Sequence, residues 1–113
     1  MPPEVFVDGL KAGEPMIVLD IRTPAEMSVF TSFTPGSLAI PMNELFKPEN
    51  LARLPVEQKI VVICATGTRA TAAGTALRHV GFDKVYVLKG GFKALIGYLN
   101  PMTANAPLKP VKP

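Results

Sequence analysis

A buried strand that leads into a cysteine and then into a helix constrains the fold of this chain most. Ile60-Val61-Val62-Ile63 is apolar, β-branched and too short for a typical helix, which predicts a strand covered on both faces of a parallel sheet. Cys64 follows directly, and a helix is predicted from Arg69 to Val80, with Gly81 as its C-terminal stop. Such a unit is typical of α/β domains, whose helices cover both faces of the sheet.

The remaining chain continues the alternation of helices and strands. A short helix ending near Gly13 is predicted to bury Val5, Phe6 and Leu10, and Met16-Ile17-Val18-Leu19 is predicted to form a strand. The helix after Cys64 is predicted to pack its small apolar face on the sheet; that face comprises Ala72, Ala73, Ala76, Leu77 and Val80.

Short connecting elements occupy the middle of the sequence. Thr23-Pro24-Ala25-Glu26 has a cap, a proline and an acidic residue in the order that begins a helix. Asn43 is predicted to cap a helical turn that ends at Leu45, and a second turn is predicted from Pro48 to Arg53. These turns follow a short extended piece over residues 38–41.

The C-terminal part contains one more strand and helix before the composition changes. Val85-Tyr86-Val87-Leu88 is predicted as a strand, and Lys89-Gly90-Gly91 as the turn into a last helix that ends at Leu99. The whole pattern predicts a single doubly wound α/β domain over residues 1–99, with a mostly parallel central sheet flanked by helices. Residues 100–113 are rich in proline and lysine and are predicted to be a disordered tail or linker.

Composition excludes several functional classes. The chain has 113 residues, 48% of them hydrophobic, which suits one domain, and no apolar run approaches the roughly 18 to 20 residues of a membrane span. No export signal is recognisable, so we expect a soluble protein, cytoplasmic rather than periplasmic. One cysteine and one histidine argue against a disulfide or a metal site, and no cofactor is predicted. The net charge is only +3 and the lysines are scattered along the sequence, which favours a small anionic substrate over nucleic acid.

The loop after the central strand is the candidate active site. Backbone N–H groups of residues 65–69, the positive end of the helix dipole and the Arg69 guanidinium are all expected to favour an anion there. We therefore predict Cys64 as the catalytic nucleophile; the predicted substrate-binding residues are Ala65, Thr66, Gly67, Thr68 and Arg69. Asp20 and Arg22 end another strand at the same edge of the sheet and are predicted as supporting residues.

Simpler structural interpretations exist for the same residues. Cys64 alone would be interpreted as a small buried hydrophobe. Arg22 would pair with Glu26, Asp20 would hold the loop through backbone N–H groups, and the two loop threonines would cap the helix. Lys89 and Lys93 would be solvated surface residues or would ring the mouth of the pocket.

Four separated segments resemble one protein family. The chain's Leu19-Asp20-Ile21-Arg22, followed by Pro24 and Glu26, is similar to the family's Asp-Val-Arg-x-Pro-x-Glu, and Pro35-Gly36-Ser37-Leu38-Ala39-Ile40-Pro41 to its Pro-Gly-Ala-x-x-Ile-Pro. Cys64-Ala65-Thr66-Gly67-Thr68-Arg69-Ala70 is similar to its Cys-x-Ser-Gly-x-Arg-Ser, and Val85-Tyr86-Val87-Leu88-Lys89-Gly90-Gly91 to its Val-Tyr-x-Leu-x-Gly-Gly. The chain therefore resembles a single-domain rhodanese, a sulfurtransferase.

The resemblance implies sulfur transfer through a persulfide on Cys64. The implied donor is thiosulfate, a polysulfide or a persulfide; the implied acceptor is a thiol or cyanide, and a sulfur-accepting protein is a further implied partner. Many catalytic members have an arginine where this chain has Ala65, and Thr68 is also uncharged. Arg69 is then the loop's one cation, which predicts low catalytic efficiency with doubly charged thiosulfate.

Two other classes of protein compete with this interpretation. One is a non-catalytic rhodanese-like module used for binding or as a sulfur relay, which the uncharged loop favours and the intact Cys64 opposes. The other is a cysteine-dependent phosphatase, which places five residues between cysteine and arginine. Here only Ala65-Thr66-Gly67-Thr68 separate Cys64 from Arg69, and a loop shorter by one residue is not expected to enclose a phosphate.

Overall fold

A computed structural model describes residues 1–23, residue 25 and residues 37–99. The helices in this part of the chain are α1 (Pro3–Lys11), α2 (Met42–Leu45), α3 (Pro48–Leu51), α4 (Thr68–His79) and α5 (Gly91–Leu99). The strands are β1 (Met16–Asp20), β2 (Leu38–Ala39), β3 (Lys59–Ile63) and β4 (Val85–Val87). The predicted helix at Thr23 and the predicted tail over residues 100–113 lie largely or wholly outside the described residues.

The strands form one parallel sheet in the order β2-β1-β3-β4. The predicted α/β fold with a parallel central sheet is therefore confirmed. β3 lies between β1 and β4, with Val61 opposite Val18 on one side and Tyr86 on the other. Because both faces of β3 are covered, its four apolar residues from position 60 to 63 are buried, as the sequence predicts.

Side chains of β3 alternate between two apolar layers. Ile60 and Val62 belong to the layer that contains Leu77 of α4. Val61 and Ile63 belong to the opposite layer, which contains side chains of α1 and α5. In the strand order, β2 lies on one side of β1, whereas β3 and β4 lie on the other side, so the direction of winding reverses between β1 and β3. In open α/β sheets such a reversal places a crevice at the carboxyl ends of the strands.

The buried face of α4 is rotated from the predicted one. Its buried residues are Ala70, Ala73, Gly74 and Leu77. The predicted Ala72 and Val80 are exposed, so that part of the prediction is wrong. Gly74 explains the rotation, because a Cβ atom there would lie 2.8 Å from Cγ2 of Val87. Because Gly74 has no side chain, α4 can approach β4 closely on the face that contains Ala70, Ala73, Gly74 and Leu77.

Two further local predictions are wrong in part or whole. In α1 Phe6 is buried and Leu10 packs against the core as predicted, whereas Val5 is half-exposed and Val7 is buried instead. Asn43 does not cap α2, since the helix begins at Met42 and Pro41 occupies the capping position without a side-chain hydrogen bond. Within the described ranges, no helix is long and apolar enough to cross a lipid bilayer.

Candidate active site

A short loop connects β3 to α4 and contains the predicted nucleophile. Cys64 is the first residue after β3, and its side chain is fully buried. Gly67 immediately precedes α4 and adopts φ = +99°, a left-handed conformation that glycine tolerates best. Thr66 and Thr68 are exposed on either side of Gly67, and neither makes the predicted side-chain capping bond to α4.

Two backbone N–H groups point at the thiol of Cys64. The Gly67 N–H donates to Sγ with an N···S distance of 3.0 Å, and the Ala70 N–H donates to it at 3.3 Å. Gly67 belongs to the predicted loop, whereas Ala70 lies one residue beyond it. Unpaired N–H groups at a helix N-terminus favour negative charge, so this arrangement stabilises a sulfur anion at the position of Sγ.

The N-terminus of α5 holds the same loop from the other side. The Phe92 N–H donates to the Cys64 carbonyl oxygen at 2.7 Å, and the Lys93 N–H donates to the Ala65 carbonyl oxygen at 2.9 Å. These contacts were not predicted from the sequence. The double glycine before Phe92 was the available signal, because close approach of two backbones commonly requires glycine.

Gly91 makes this contact between backbones possible. Its φ is +67°, and a Cβ atom there would lie 2.5 Å from the Cys64 carbonyl oxygen and 2.7 Å from that of Ala65. Both the backbone conformation and the available space therefore exclude a side chain. The predicted backbone-permissive turn is confirmed, and its consequence is a fixed position for the Cys64 loop.

Replacing Gly91 by alanine is expected to destabilise the protein and to displace the loop. The left-handed conformation alone costs a residue with a Cβ atom about 1–2 kcal/mol, and the overlap with two carbonyl groups adds to this cost. Urea denaturation measures the loss. Gly97→Ala is the matched control, because Gly97 lies within α5 with open space around it and an alanine there is expected to stabilise by up to about 1 kcal/mol. Equal stabilities of the two variants would contradict the steric account.

Asp20 and Arg22 form a buried ion pair at the carboxyl end of β1. Each residue is 2% exposed, and the Arg22 Nη2 atom lies 2.8 Å from Oδ2 of Asp20. The Arg22 Nε atom donates to both carboxylate oxygens, and the Arg22 backbone N–H donates to Oδ1 at 3.1 Å. The predicted bond from Asp20 to backbone N–H is thus present, while Glu26 lies outside the described residues.

Arg22 reaches the Cys64 loop through an aromatic ring. Its guanidinium carbon lies 4.2 Å from the centroid of the Phe92 ring, within the range of a cation–π interaction. The backbone N–H of the same Phe92 donates to the carbonyl of Cys64. The ion pair of Asp20 and Arg22 therefore contacts the α5 residue that bonds to the loop, and its supporting role stays a prediction.

Arg69 lines an open groove of about 510 Å³ beside the loop. The other described residues that line this groove are Ile21, Thr23, Pro41, Met42, Asn43 and Glu44. This groove lies between the segment after β1 and the start of α4, at the place where the direction of winding reverses. Cys64 is not among the described residues that line this groove.

Charge in the first turns of the helices distinguishes the site from the rest of the fold. The first turns of α1, α2 and α3 carry Glu4, Glu44 and Glu49, which suit the positive end of a helix dipole. The first turns of α4 and α5 contain no acidic residue and instead carry Arg69 and Lys93. Each of these two helices therefore has a basic residue, and no acidic one, in the turn that meets the Cys64 loop.

Comparison with known proteins agrees with this architecture. The model of the rhodanese-like domain family matches residues 3–97. A sulfurtransferase of Allochromatium vinosum is 31% identical over 91 residues, which cover 80% of this chain and 81% of that protein. The crystal structure of a rhodanese-related protein from Thermoplasma volcanium aligns with a TM-score of 0.74 and 30% identity, over 88% of this chain and 91% of that one.

A longer relative contains a similar segment. The probable adenylyltransferase/sulfurtransferase MoeZ of Mycobacterium tuberculosis is 30% identical over 99 residues, which cover 88% of this chain. The aligned part spans only 25% of the length of MoeZ. The match to the family model extends over most of the chain, from α1 to α5. This chain belongs to the rhodanese-like domain family.

Proposed function

We propose that this protein is a sulfurtransferase that carries a sulfane sulfur as a persulfide on Cys64. The observation that carries the proposal is the pair of N–H groups, from Gly67 and Ala70, directed at Sγ from the start of α4. A cysteine that only fills space needs no such donors, whereas a thiolate and its persulfide are both stabilised by them. Relatives that are named sulfurtransferases support the same general activity.

The first step loads sulfur onto the enzyme. The Cys64 thiolate attacks the outer sulfur of a donor such as thiosulfate, so that an Sγ–S bond forms while the S–S bond of the donor breaks. Sulfite leaves with the electron pair, and the persulfide keeps one negative charge. The N–H groups of Gly67 and Ala70 then stabilise that charge.

The second step removes the sulfur and restores the thiolate. An acceptor thiolate or cyanide attacks the outer sulfur of the persulfide; the new bond to the acceptor forms as the Sγ–S bond breaks. Cys64 leaves as a thiolate, so no proton has to be moved in either step. No general base is therefore required beside the thiol, and the chain's one histidine, His79, ends α4 at the far end from the loop.

The proposed donor preference follows from the charges near the thiol. Ala65 and Thr68 contribute no charge, and Arg69 lines the neighbouring groove. We therefore expect inorganic polysulfide to load Cys64 faster than thiosulfate. Intact-protein mass spectrometry after brief exposure to each donor measures the loading as an increase of about 32 Da per sulfur atom.

A binding module is the second candidate function, and one observation favours it. Cys64 is 0% exposed, which is also the usual state of a cysteine that only fills space. The loading experiment separates the two functions, because a binding module needs no reactive thiol. If neither donor adds mass to the wild-type protein, the sulfurtransferase proposal fails and the binding module is favoured.

A further inference from the structure

We propose that Lys93 recruits anionic sulfur donors to the Cys64 loop and compensates in part for the charge that Ala65 lacks. This inference rests on the proposed function and adds a residue that determines the preference for charged donors. Three observations carry it: the position of Lys93 beside the loop, the lack of a partner for its charge among the described residues, and its unfavourable location in a helix.

The backbone fixes Lys93 next to the loop. Its N–H donates to the Ala65 carbonyl oxygen at 2.9 Å, so the two residues are direct neighbours. Lys93 is the third residue of α5, and the Cα–Cβ bond of a helical residue tilts toward the N-terminus. In α5 that end is the one that faces Cys64 and Ala65. The Cα–Cβ bond of Lys93 is therefore inclined toward the loop, and its flexible four-carbon side chain begins there.

No group among the described residues neutralises this charge. Lys93 is exposed, and the ion pairs of the described part of the chain do not include it. α5 itself has no acidic residue, from Gly91 to Leu99. A cation attracts an incoming anion most strongly when no internal carboxylate competes for it.

The location of Lys93 is unfavourable for the helix itself. A cation in the first turn opposes the helix dipole, and the first three helices of the described chain place glutamate there instead. Arg69, the second residue of α4, is likewise a cation in a first turn. Lys93 therefore weakens its own helix, and the attraction of an anionic donor to the site explains why a lysine occupies this position.

The experiment compares rate constants for loading of Cys64 by thiosulfate. Lys93→Gln is expected to lower the second-order rate constant about 3- to 10-fold, Lys93→Glu to lower it further, and Lys93→Arg to retain it. The difference between wild type and Lys93→Gln should shrink in about 1 M salt, where the screening length falls to roughly 3 Å. Lys11→Gln is the matched control, because Lys11 is an exposed lysine before β1, at the opposite edge of the sheet.

A second readout does not depend on sulfur transfer. Iodoacetate and iodoacetamide alkylate thiols and differ mainly in charge, so the ratio of their rates reports the electrostatic potential at Cys64. Lys93→Gln is expected to lower this ratio by a similar factor, while Lys11→Gln leaves it within about twofold. An unchanged ratio and an unchanged thiosulfate rate would overturn the role of Lys93, even if wild-type Cys64 loads normally. A Cys64 that reacts with none of the three reagents would overturn both this role and the proposed function.

Discussion

Cys64→Ser is expected to reduce sulfur transfer from thiosulfate or polysulfide to cyanide to the rate without enzyme. Serine places a hydroxyl near the position of Sγ, but it forms no thiolate and cannot hold a persulfide. Thiocyanate production at saturating donor measures the loss. Because the protein has no other cysteine, no second thiol can replace the missing one.

The fold is expected to tolerate this substitution. In the wild-type protein the N–H groups of Gly67 and Ala70 donate hydrogen bonds to sulfur. The serine oxygen can accept these hydrogen bonds, so the buried donors keep a partner. A urea unfolding midpoint close to that of wild type would show that inactivity comes from chemistry. Thiocyanate formation by a folded Cys64→Ser protein would contradict the assignment of the nucleophile.

Asp20→Asn is expected to destabilise the protein by about 3–5 kcal/mol, because it removes the carboxylate from a buried guanidinium. Both members of the pair are 2% exposed, and Arg22 makes its bonds to both oxygens of Asp20. Such a loss is a large part of the roughly 5–15 kcal/mol by which domains of this kind are stable. Since Arg22 also contacts the Phe92 ring, loading of Cys64 is expected to slow as well.

Two comparisons test the cause of this loss. Asp83→Asn removes an exposed carboxylate from a turn and is expected to change stability by no more than about 0.5 kcal/mol. Combining Asp20→Asn with Arg22→Met removes both charges and is expected to recover much of the stability, because an unpaired buried charge costs more than an apolar replacement. Equal urea midpoints for Asp20→Asn and Asp83→Asn would show that the buried pair is unimportant.

The strands and the position of Cys64 were predictable because their causes are local in the sequence. A continuous apolar run from Ile60 to Ile63 has few alternatives to a strand buried on both faces, and the order of elements then implies a parallel sheet. The position of Cys64 between this strand and the next helix follows from the same pattern. The loop and the family resemblance therefore led to the same residue.

The details that were wrong or missed depend on contacts between distant segments. The rotation of α4 is decided by Gly74 against Val87, which no pattern within the helix reveals. The ion pair of Asp20 and Arg22 was also missed, although the two residues are only two positions apart, because sequence spacing does not show which carboxylate faces a guanidinium. The role of α5 in holding Cys64 and Ala65 is likewise visible only after folding has brought Gly91 against them.

The most direct test of the account follows one sulfur atom through two separate half-reactions. The wild-type protein is loaded with polysulfide whose sulfur is isotopically labelled, freed of donor, and then mixed with an acceptor thiol. After loading, we expect one labelled sulfur per chain, located on the peptide that contains Cys64. After the acceptor is added, we expect the label on the acceptor and the protein back at its original mass. Label that stays on the protein, or a product that forms only when donor and acceptor are present together, would contradict a persulfide on Cys64 as the carrier.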